Sequence, residues 1–216
     1  MIKVLNLYAG IGGNRKLWTD VDVTAIELNP EIAKIYQDFF PDDKVIVADA
    51  HEYLLYNYKD FDFIWSSPPC PSHSKARFWG FGSGKTKPVY PDFRLYEEIV
   101  FLKHYADCKW IVENVDPFYD ELFNPRKIGR HCFWSNFPIA DFNSNDADIN
   151  KGNTKEWQKL HGFDISKYKF KERRDKVLRN CVHPDTGLHI FNQAFKRAGS
   201  ERSGTQKELN FKVVEL

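Results

Sequence analysis

The 216-residue chain has little cysteine, with four residues at positions 70, 108, 132 and 181 and no CxxC pair. This scarcity argues against a disulfide framework and a zinc site, and it favours a reducing compartment, so we expect a cytoplasmic protein without a metal. A long apolar run is also missing, since no stretch approaches the ~20 residues that a membrane-spanning helix needs. Residues 1–4 (MIKV) already read as a strand, which predicts that no signal peptide precedes the fold.

A strong net charge is absent too, because the sum is only +1. The charge is unevenly spread: residues 155–216 hold 14 Lys/Arg and 8 Asp/Glu residues, a local +6, whereas residues 1–154 carry −5. A basic C-terminal part indicates contact with a polyanion, although a solvated basic helix surface explains it equally well. The 42% of hydrophobic and 16% of aromatic residues are typical of a globular domain with a core.

Apolar runs alternate with helix-like stretches, which predicts an α/β fold with a parallel, doubly wound sheet. The predicted strands cover residues 2–8, 22–27, 44–48, 61–66, 110–115 and 131–134. Asn29 and Pro30 predict a capped helix start that continues to Phe39, and further helices are predicted over 96–106, 172–179 and 189–198. Residues 139–154 are rich in Asn and Asp and form the clearest loop.

The most informative segment is residues 66–70 (SSPPC), which closes the apolar run 61–65. Proline fixes φ and has no N–H to donate, and Pro69 also forces Pro68 into an extended conformation. The thiol of Cys70 is therefore held rigidly at the carboxyl end of a strand, where ligands of α/β sheets bind. The alternative is a buried structural cysteine after a proline turn. A nucleophilic Cys70 would need a lowered pKa, which we expect a nearby cation or a helix terminus to supply.

Three features at successive strand ends outline a pocket for an adenosine-containing ligand. Residues 8–13 (YAGIGG) form a glycine turn that lets a ligand approach the backbone, followed by a helix with free N–H groups. Arg15 replaces the last glycine of GxGxxG, which disfavours a dinucleotide. Glu27 is placed to accept hydrogen bonds from a ribose diol and Asp49 from an adenine amino group. Each acid alone is better explained by a surface position or a helix cap, and only together do they outline the pocket.

Two further motifs follow the cysteine. Glu113 and Asn114 end the fifth strand, where burial would let Glu113 donate a proton, although a salt-bridged carboxylate is the alternative. Residues 80–86 (GFGSGKT) are similar to a phosphate-binding loop. However, Trp79 stands where GxxxxGK[ST] needs glycine, and a mobile, glycine-hinged loop is the better interpretation.

Together these motifs resemble the cytosine-C5 DNA methyltransferase family, and the match covers most of the chain in the family's order. NLYAGIGG, AIELNP and VADA resemble its cofactor motifs, SPPCPSHS its catalytic loop and VENV its glutamate motif. GRHCFW is similar to its arginine-bearing strand and LHGF to the motif after its recognition region. Residues 178–184 (LRNCVHP) resemble the final motif, which folds back onto the cofactor.

The resemblance implies a Rossmann-like methyltransferase sheet with a small C-terminal recognition or cap region. It divides the chain into a catalytic domain (1–138), a reduced target-recognition region (139–176) and a C-terminal segment (177–216). The implied reaction moves a methyl group from S-adenosyl-L-methionine to C5 of a flipped cytosine in DNA through a covalent bond to Cys70. It leaves S-adenosyl-L-homocysteine and uses no metal.

Residue roles follow from the same resemblance. The implied catalytic residues are Cys70, Glu113, Arg130 and His131. The implied cofactor contacts are Tyr8, Ala9, Gly10, Ile11, Gly12, Gly13, Glu27, Leu28, Asp49, Ala50, Pro69, Asn180 and Val182. The implied nucleic-acid contacts, in a loop over residues 72–91, are Ser72, Ser74, Lys75, Arg77 and Lys85.

The chain departs from the family pattern in several places. Pro71 stands where many relatives carry glutamine, and the usual Gly-Asn is Arg179-Asn180. His131 takes the place of the second arginine of an RxR pattern, with Arg130 beside it, so either is a candidate for contact with cytosine O2. Only 25 residues separate Trp134 from Leu160, where the family inserts a substantial recognition domain.

The short insertion keeps several alternatives open. One is an RNA cytosine-C5 methyltransferase, and another is one subunit of a split enzyme that needs a recognition subunit. A non-catalytic binding module and a nicotinamide oxidoreductase are more distant. We expect a monomer that binds DNA and no membrane, with a restriction endonuclease as a further candidate partner.

Overall fold

A computed structural model describes residues 1–144 and 152–195. Within them, seven strands form one sheet in the order β3-β2-β1-β4-β5-β7-β6. The strands are β1 (Ile2–Leu7), β2 (Val21–Glu27), β3 (Lys44–Val47), β4 (Phe63–Ser66), β5 (Lys109–Val115), β6 (Arg126–Ile128) and β7 (His131–Ser135). The predicted doubly wound α/β sheet is confirmed, since the strand order reverses at β1 and β4.

The expectation that all strands run parallel is wrong at one edge. Strands β1 to β5 pair in parallel, but β7 runs antiparallel to both β5 and β6. The reason is a tight hairpin: Ile128 pairs with His131, which leaves a two-residue turn with Gly129 at φ +58°. Such a turn needs positive φ at its first position. This hairpin brings His131 to the edge of the sheet where β5 ends.

Seven helices surround the sheet in the described part of the chain. They are α1 (Pro30–Phe39), α2 (Ala50–Asn57), α3 (Lys75–Gly82), α4 (Arg94–Tyr105), α5 (Thr154–His161), α6 (Arg174–Arg179) and α7 (Pro184–Phe195), with a 3₁₀ turn over Tyr58–Asp60. The predicted start of α1 is confirmed, because the Asn29 side chain accepts hydrogen bonds from the amides of Glu31 and Ile32. The predicted extension of the last helix to residue 198 lies outside the described residues.

Two sequence expectations about connections are wrong. No helix follows the glycine turn, since residues 14–20 form turns and bends. Helix α7 packs on this connection instead: the indole N–H of Trp18 donates to the Gly187 carbonyl at 3.1 Å, and Trp18 stacks on Phe191. The loop predicted over 72–91 contains α3, which Ser74 caps by accepting from the Arg77 amide.

Both faces of the sheet are covered, as the alternation of side chains along β1 requires. Leu5 and Leu7 face the cluster formed with α2 and α4, whereas Val4 faces Phe63, Trp65 and the helix α7. A third cluster joins α5 and α6 to α1, with Trp157 and Phe163 buried against Ile32 and Ile35. The largest apolar side chains of residues 152–176 are therefore packed against the rest of the domain. The domain boundaries stay a prediction. No described helix has the length and apolarity to cross a membrane.

Candidate active site

The carboxyl ends of β1, β2, β4 and β5 meet at one edge of the sheet, and a cleft of about 820 Å³ opens there. This is the edge at which parallel α/β sheets bind their ligands. All predicted catalytic residues and all predicted cofactor contacts except Gly12 line it: Tyr8, Ala9, Gly10, Ile11, Gly13, Glu27, Leu28, Asp49, Ala50, Pro69, Cys70, Glu113, Arg130, His131, Asn180 and Val182.

The glycines of the turn after β1 have different tasks. Gly10 has φ +56°, and a Cβ there would meet no atom within 4 Å, so its side of the cleft is open. The missing Cβ of Gly12 would instead strike the Phe40 ring at 2.3 Å, away from the cleft. At Gly13 a Cβ would lie 2.6 Å from the Val182 carbonyl, so this glycine lets the C-terminal segment approach the turn. Only Gly10 of the three leaves room for a ligand.

The carboxylate of Glu27 is fixed by backbone amides. Its Oε2 accepts from the Gly10 N–H and its Oε1 from the Asn29 N–H, both at 2.9 Å. Burial raises the pKa of Glu27, although the amides of Asn29 and Gly10 oppose this shift. Each carboxylate oxygen can accept a second hydrogen bond, so Glu27 remains able to bind a diol.

Asp49 is the N-cap of α2, the alternative that the sequence left open. Its Oδ1 accepts from the amides of His51 at 2.9 Å and Glu52 at 3.2 Å. Its Oδ2 lies 3.4 Å from the guanidinium of Arg94. A contact with an adenine amino group is still compatible with the second lone pairs of this carboxylate, and it stays a prediction.

Glu98 is a buried carboxylate that was not predicted from the sequence, and it stabilises side chains next to the cleft. Glu98 accepts hydrogen bonds from the hydroxyls of Tyr8 at 2.6 Å and Ser66 at 2.5 Å, and His51 Nδ1 lies 3.0 Å away. It thereby ties the aromatic ring after β1 to the end of β4, the strand that leads to Cys70. The available signal was a carboxylate on the apolar stripe of α4, between Leu95 and Leu102.

Hydrogen bonds anchor the loop that carries Cys70, while the rigidity expected from its prolines stays a prediction. The Asn114 side-chain amide donates to the Pro68 carbonyl at 2.9 Å, and this buried contact was also missed. The Cys70 carbonyl accepts from the amides of His73 and Ser74 at 3.0 and 3.2 Å. Both ends of the loop are therefore held by hydrogen bonds, and the thiol lies between them.

The expectation of a lowered pKa at Cys70 is wrong for the free protein. Burial raises the pKa of the thiol, and the negative charge of Glu113 raises it further. Arg130 and Lys176 act in the opposite direction, but they do not offset the desolvation of the thiolate. Cys70 is thus held mainly as the thiol at neutral pH, and it needs a proton acceptor or a change of environment to react.

This pKa has a measurable consequence. Alkylation of Cys70 by iodoacetamide, which needs the thiolate, should keep accelerating above pH 9, where an ordinary thiol with a pKa of about 8.5 levels off. Mass spectrometry of the peptide that contains Cys70, sampled between pH 7 and 10, measures the rate. A plateau at or below about pH 9 would contradict the direction of the shift.

Glu113 and His131 face each other in the cleft. His131 Nε2 lies 3.6 Å from Glu113 Oε1, and both side chains are buried. Arg130 instead donates from Nη2 to the carbonyl of Arg179, on the C-terminal segment. The two candidates for the base-contacting role therefore differ: His131 is the neighbour of the acid, and Arg130 bridges the cleft to residue 179.

The predicted nucleic-acid contacts lie outside the cleft, on α3 and beside it. Three of them bond within the protein: Ser72 Oγ accepts from the Asp92 amide, Ser74 caps α3, and Lys75 pairs with Asp116. A fourth, Arg77, is partly buried and donates to the Lys87 carbonyl at 3.5 Å, whereas Lys85, in the turn after α3, is exposed. Their role in binding stays a prediction.

One cluster outside the cleft has the composition of a metal site. Ligand atoms of Asp116, Glu121 and Cys132 lie within 4.8 Å of one another. The Lys127 ammonium already lies 2.9 Å from Asp116 and 2.7 Å from Glu121, where it supplies the positive charge. We therefore assign this cluster to structure, and a reaction without a metal stays a prediction.

The comparisons with known proteins agree on one family of sequences. The family model described as C-5 cytosine-specific DNA methylase matches residues 2–116, more than half of the chain. A Frog virus 3 (isolate Goorha) protein named "Probable DNA (cytosine-5)-methyltransferase" is 23% identical over 229 residues, covering 98% of this chain and 94% of the viral protein.

Solved structures give more distant similarities. A SAM-dependent methyltransferase from Agrobacterium tumefaciens has a TM-score of 0.40 and 14% identity, over 55% of this chain and 40% of that one. A DNMT2 mutant from Spodoptera frugiperda has a TM-score of 0.39 and 22% identity, over 56% of this chain and 38% of that one. In both cases the alignment spans only about two-fifths of the solved chain.

Proposed function

The chain belongs to the C-5 cytosine-specific DNA methylase family, and from this premise we propose that it methylates C5 of cytosine in DNA. The observation that supports this most is that one cleft contains the Cys70 thiol, the Glu113 carboxyl, the glycine turn at Gly10 and the carboxylate of Glu27. A nucleophile, an acid and a nucleoside-type pocket thus open into one space. That combination is what methyl transfer to a base requires.

The cleft fits S-adenosylmethionine. Glu27 would hold the ribose diol, the open face at Gly10 would take the nucleoside against the backbone, and the ring of Tyr8, fixed by Glu98, would contact the adenine. The bound cofactor supplies an electrophilic methyl group on a sulfonium. Val182 and Asn180 close the pocket from the C-terminal segment.

Cys70 provides the nucleophile that cytosine needs. C5 of cytosine is a poor nucleophile, but when the Cys70 sulfur bonds to C6, the electrons of the C5–C6 double bond make C5 enamine-like. C5 then takes the methyl group, loses its proton to a base, and the electrons of the C5–H bond re-form the double bond as the C6–S bond breaks. Because burial raises the pKa of the thiol, its proton has to pass to a base before or during this attack.

Glu113 would stabilise the electrons that move to cytosine N3 during this attack, by a hydrogen bond or by giving a proton. His131, whose Nε2 lies 3.6 Å from Glu113 Oε1, is the neighbour that would orient this carboxyl. The reacting carbons of a stacked base are closed to attack from either face, so the cytosine must leave the duplex to enter the cleft. Phosphate contacts outside the cleft would hold the strand in register.

The direct test is methyl transfer by the purified chain. Bisulfite sequencing of DNA from cells that express it should show methylated cytosines in a context of few bases. The reason is that the 25 residues between Trp134 and Leu160 offer few side chains for base contacts. Matched DNA and RNA of one sequence, incubated with S-[methyl-³H]adenosylmethionine, distinguish the substrates. Labelling of RNA alone would favour the RNA enzyme, and no labelling until a second chain is added would favour a split enzyme. Because only 25 residues lie between Trp134 and Leu160, the split enzyme stays an open alternative.

The cofactor pocket makes a separate prediction. Glu27→Ala should weaken S-adenosylmethionine binding by about 1–3 kcal/mol, because ligand hydroxyls lose their acceptor, and Asp49→Ala should weaken it by a similar amount. Isothermal titration calorimetry measures both, with exposed Asp60→Ala as the control. Unchanged affinity in both pocket variants would refute the pocket assignment.

A further inference from the structure

Helix α3 exposes aromatic side chains that the described part of the chain does not cover. None of its eight residues is buried, and Phe78, Trp79 and Phe81 are 50%, 65% and 48% exposed. Tyr90 follows in the next loop with 95% exposure. A group of exposed rings on one short segment marks an interaction site more often than single exposed residues do.

The same segment is positively charged. Residues 71–91 contain the cations Lys75, Arg77, Lys85 and Lys87 and no Asp or Glu. This stands out in a part of the chain, residues 1–154, whose net charge is −5. Lys75 pairs with Asp116 and Arg77 donates to the Lys87 carbonyl, whereas Lys85 and Lys87 are exposed. Aromatic rings interleaved with cations favour binding of a ligand that carries many negative charges together with planar groups.

Helix α3 is also tied to the candidate active site. It begins five residues after Cys70, and the Cys70 carbonyl accepts from the amides of His73 and Ser74 just before it. On its far side, Phe78 stacks on Phe118 with the ring centroids 4.8 Å apart and the planes at 3°. Phe78 is therefore packed in place, and α3 directly follows the loop that carries Cys70.

We propose that α3 and residues 85–90 form a platform on which unpaired bases of the substrate strand stack. This deepens the proposed function and rests on it: the preferred substrate is a strand with unpaired bases near the target, and not an intact duplex. Aromatic rings stack on any base, and arginine and lysine follow the phosphates, a combination typical of proteins that bind single strands.

An anionic membrane surface fits the helix less well. A helix that lies on a membrane needs one continuous apolar stripe. At about 100° per residue, Phe78, Trp79 and Phe81 lie within an arc of about 160°, and the cation Arg77 borders that arc about 40° beyond Phe81. Eight residues also span only about 12 Å, too little for stable interfacial anchoring.

Trp79 offers a direct probe. All six tryptophans lie in described residues, and the other five are at most 4% exposed. In the presence of S-adenosylhomocysteine, which prevents turnover, a single-stranded 20-mer should quench the exposed tryptophan emission and protect it from acrylamide. Trp79→Phe should lack this signal. Protection by anionic vesicles but not by DNA, or low acrylamide quenching in the free protein, would overturn the proposal.

Binding measurements test how much stacking on Trp79 contributes to the affinity for DNA. By fluorescence anisotropy, Trp79→Ala should bind a single strand, and a duplex with a central unpaired stretch, about 5- to 100-fold more weakly, whereas binding to a fully paired duplex should change little. Trp79→Phe, which keeps a ring, should restore most of the affinity. Tyr105→Ala is the matched control, because Tyr105 is 63% exposed at the end of α4. Equal losses on all DNAs, or no loss, would overturn the inference.

The methylation assay separates this inference from the function it rests on. If wild-type protein methylates cytosine and Trp79→Ala binds unpaired strands normally, the platform is refuted and the function stands. If Trp79→Ala loses only unpaired strands while no DNA is methylated by the wild type, the platform is supported and the proposed function fails.

Discussion

Replacing Cys70 by serine should abolish methyl transfer and leave cofactor binding nearly intact. A serine hydroxyl is far less acidic than a thiol and is a weaker nucleophile, so we expect the rate to fall by 10⁴-fold or more, on the order seen when nucleophiles are removed from other enzymes. Cofactor affinity should persist because Glu27 is held by the amides of Gly10 and Asn29, none of which touches the thiol. Tritium transfer and calorimetry measure the two effects separately.

The covalent step can be trapped. DNA that contains 5-fluorocytosine should link permanently to the wild type, because C5 then carries fluorine, which cannot leave as a proton does. Mass spectrometry should find the adduct on Cys70. Cys132 and Cys181 are buried, and Cys108 lies just before the amino end of β5, away from the cleft. An adduct on any of these three would refute the assignment.

The features that sequence predicted well depend on local signals and on one rule of topology. Asn29 starts a helix by accepting from two nearby amides and Pro30 by its fixed φ, and neither effect needs a distant partner. Parallel strands place their carboxyl ends together, so residues that follow successive strands, such as Glu27 and Cys70, must meet at one edge. That rule is the reason why widely separated motifs lie in one cleft.

The features that sequence missed depend on distant neighbours. Gly80 and Gly82 weaken a helix, so α3 was not predicted, although Ser74 caps it. The partners of Glu98 come from three separate elements. The pKa of Cys70 was predicted in the wrong direction because burial, which only the folded chain creates, outweighs the nearby Arg130.

Glu113 should have opposite effects on the two reactions of Cys70. Its negative charge raises the pKa of the thiol, so Glu113→Gln should lower that pKa and make alkylation by iodoacetamide at pH 7 faster. Methyl transfer should nevertheless fall by about 10²- to 10⁴-fold, because the group that stabilises cytosine N3 in the transition state is lost. Glu121→Gln is the control, since Glu121 is a partly buried acid that does not line the cleft.

The rate of alkylation and the rate of methyl transfer together distinguish a catalytic effect of Glu113→Gln from a structural one. If Glu113→Gln slowed alkylation as well as methyl transfer, the variant would have distorted the loop, and the catalytic role would lose its support. Arg130→Ala provides the complementary test, because removing its positive charge should raise the pKa of Cys70 and slow alkylation at pH 7. Opposite shifts in these two variants would show that the charges around the thiol set its reactivity. A thiol that is alkylated faster in an enzyme that is slower would indicate that the lost rate comes from the step at the cytosine, because the thiol itself would be more reactive.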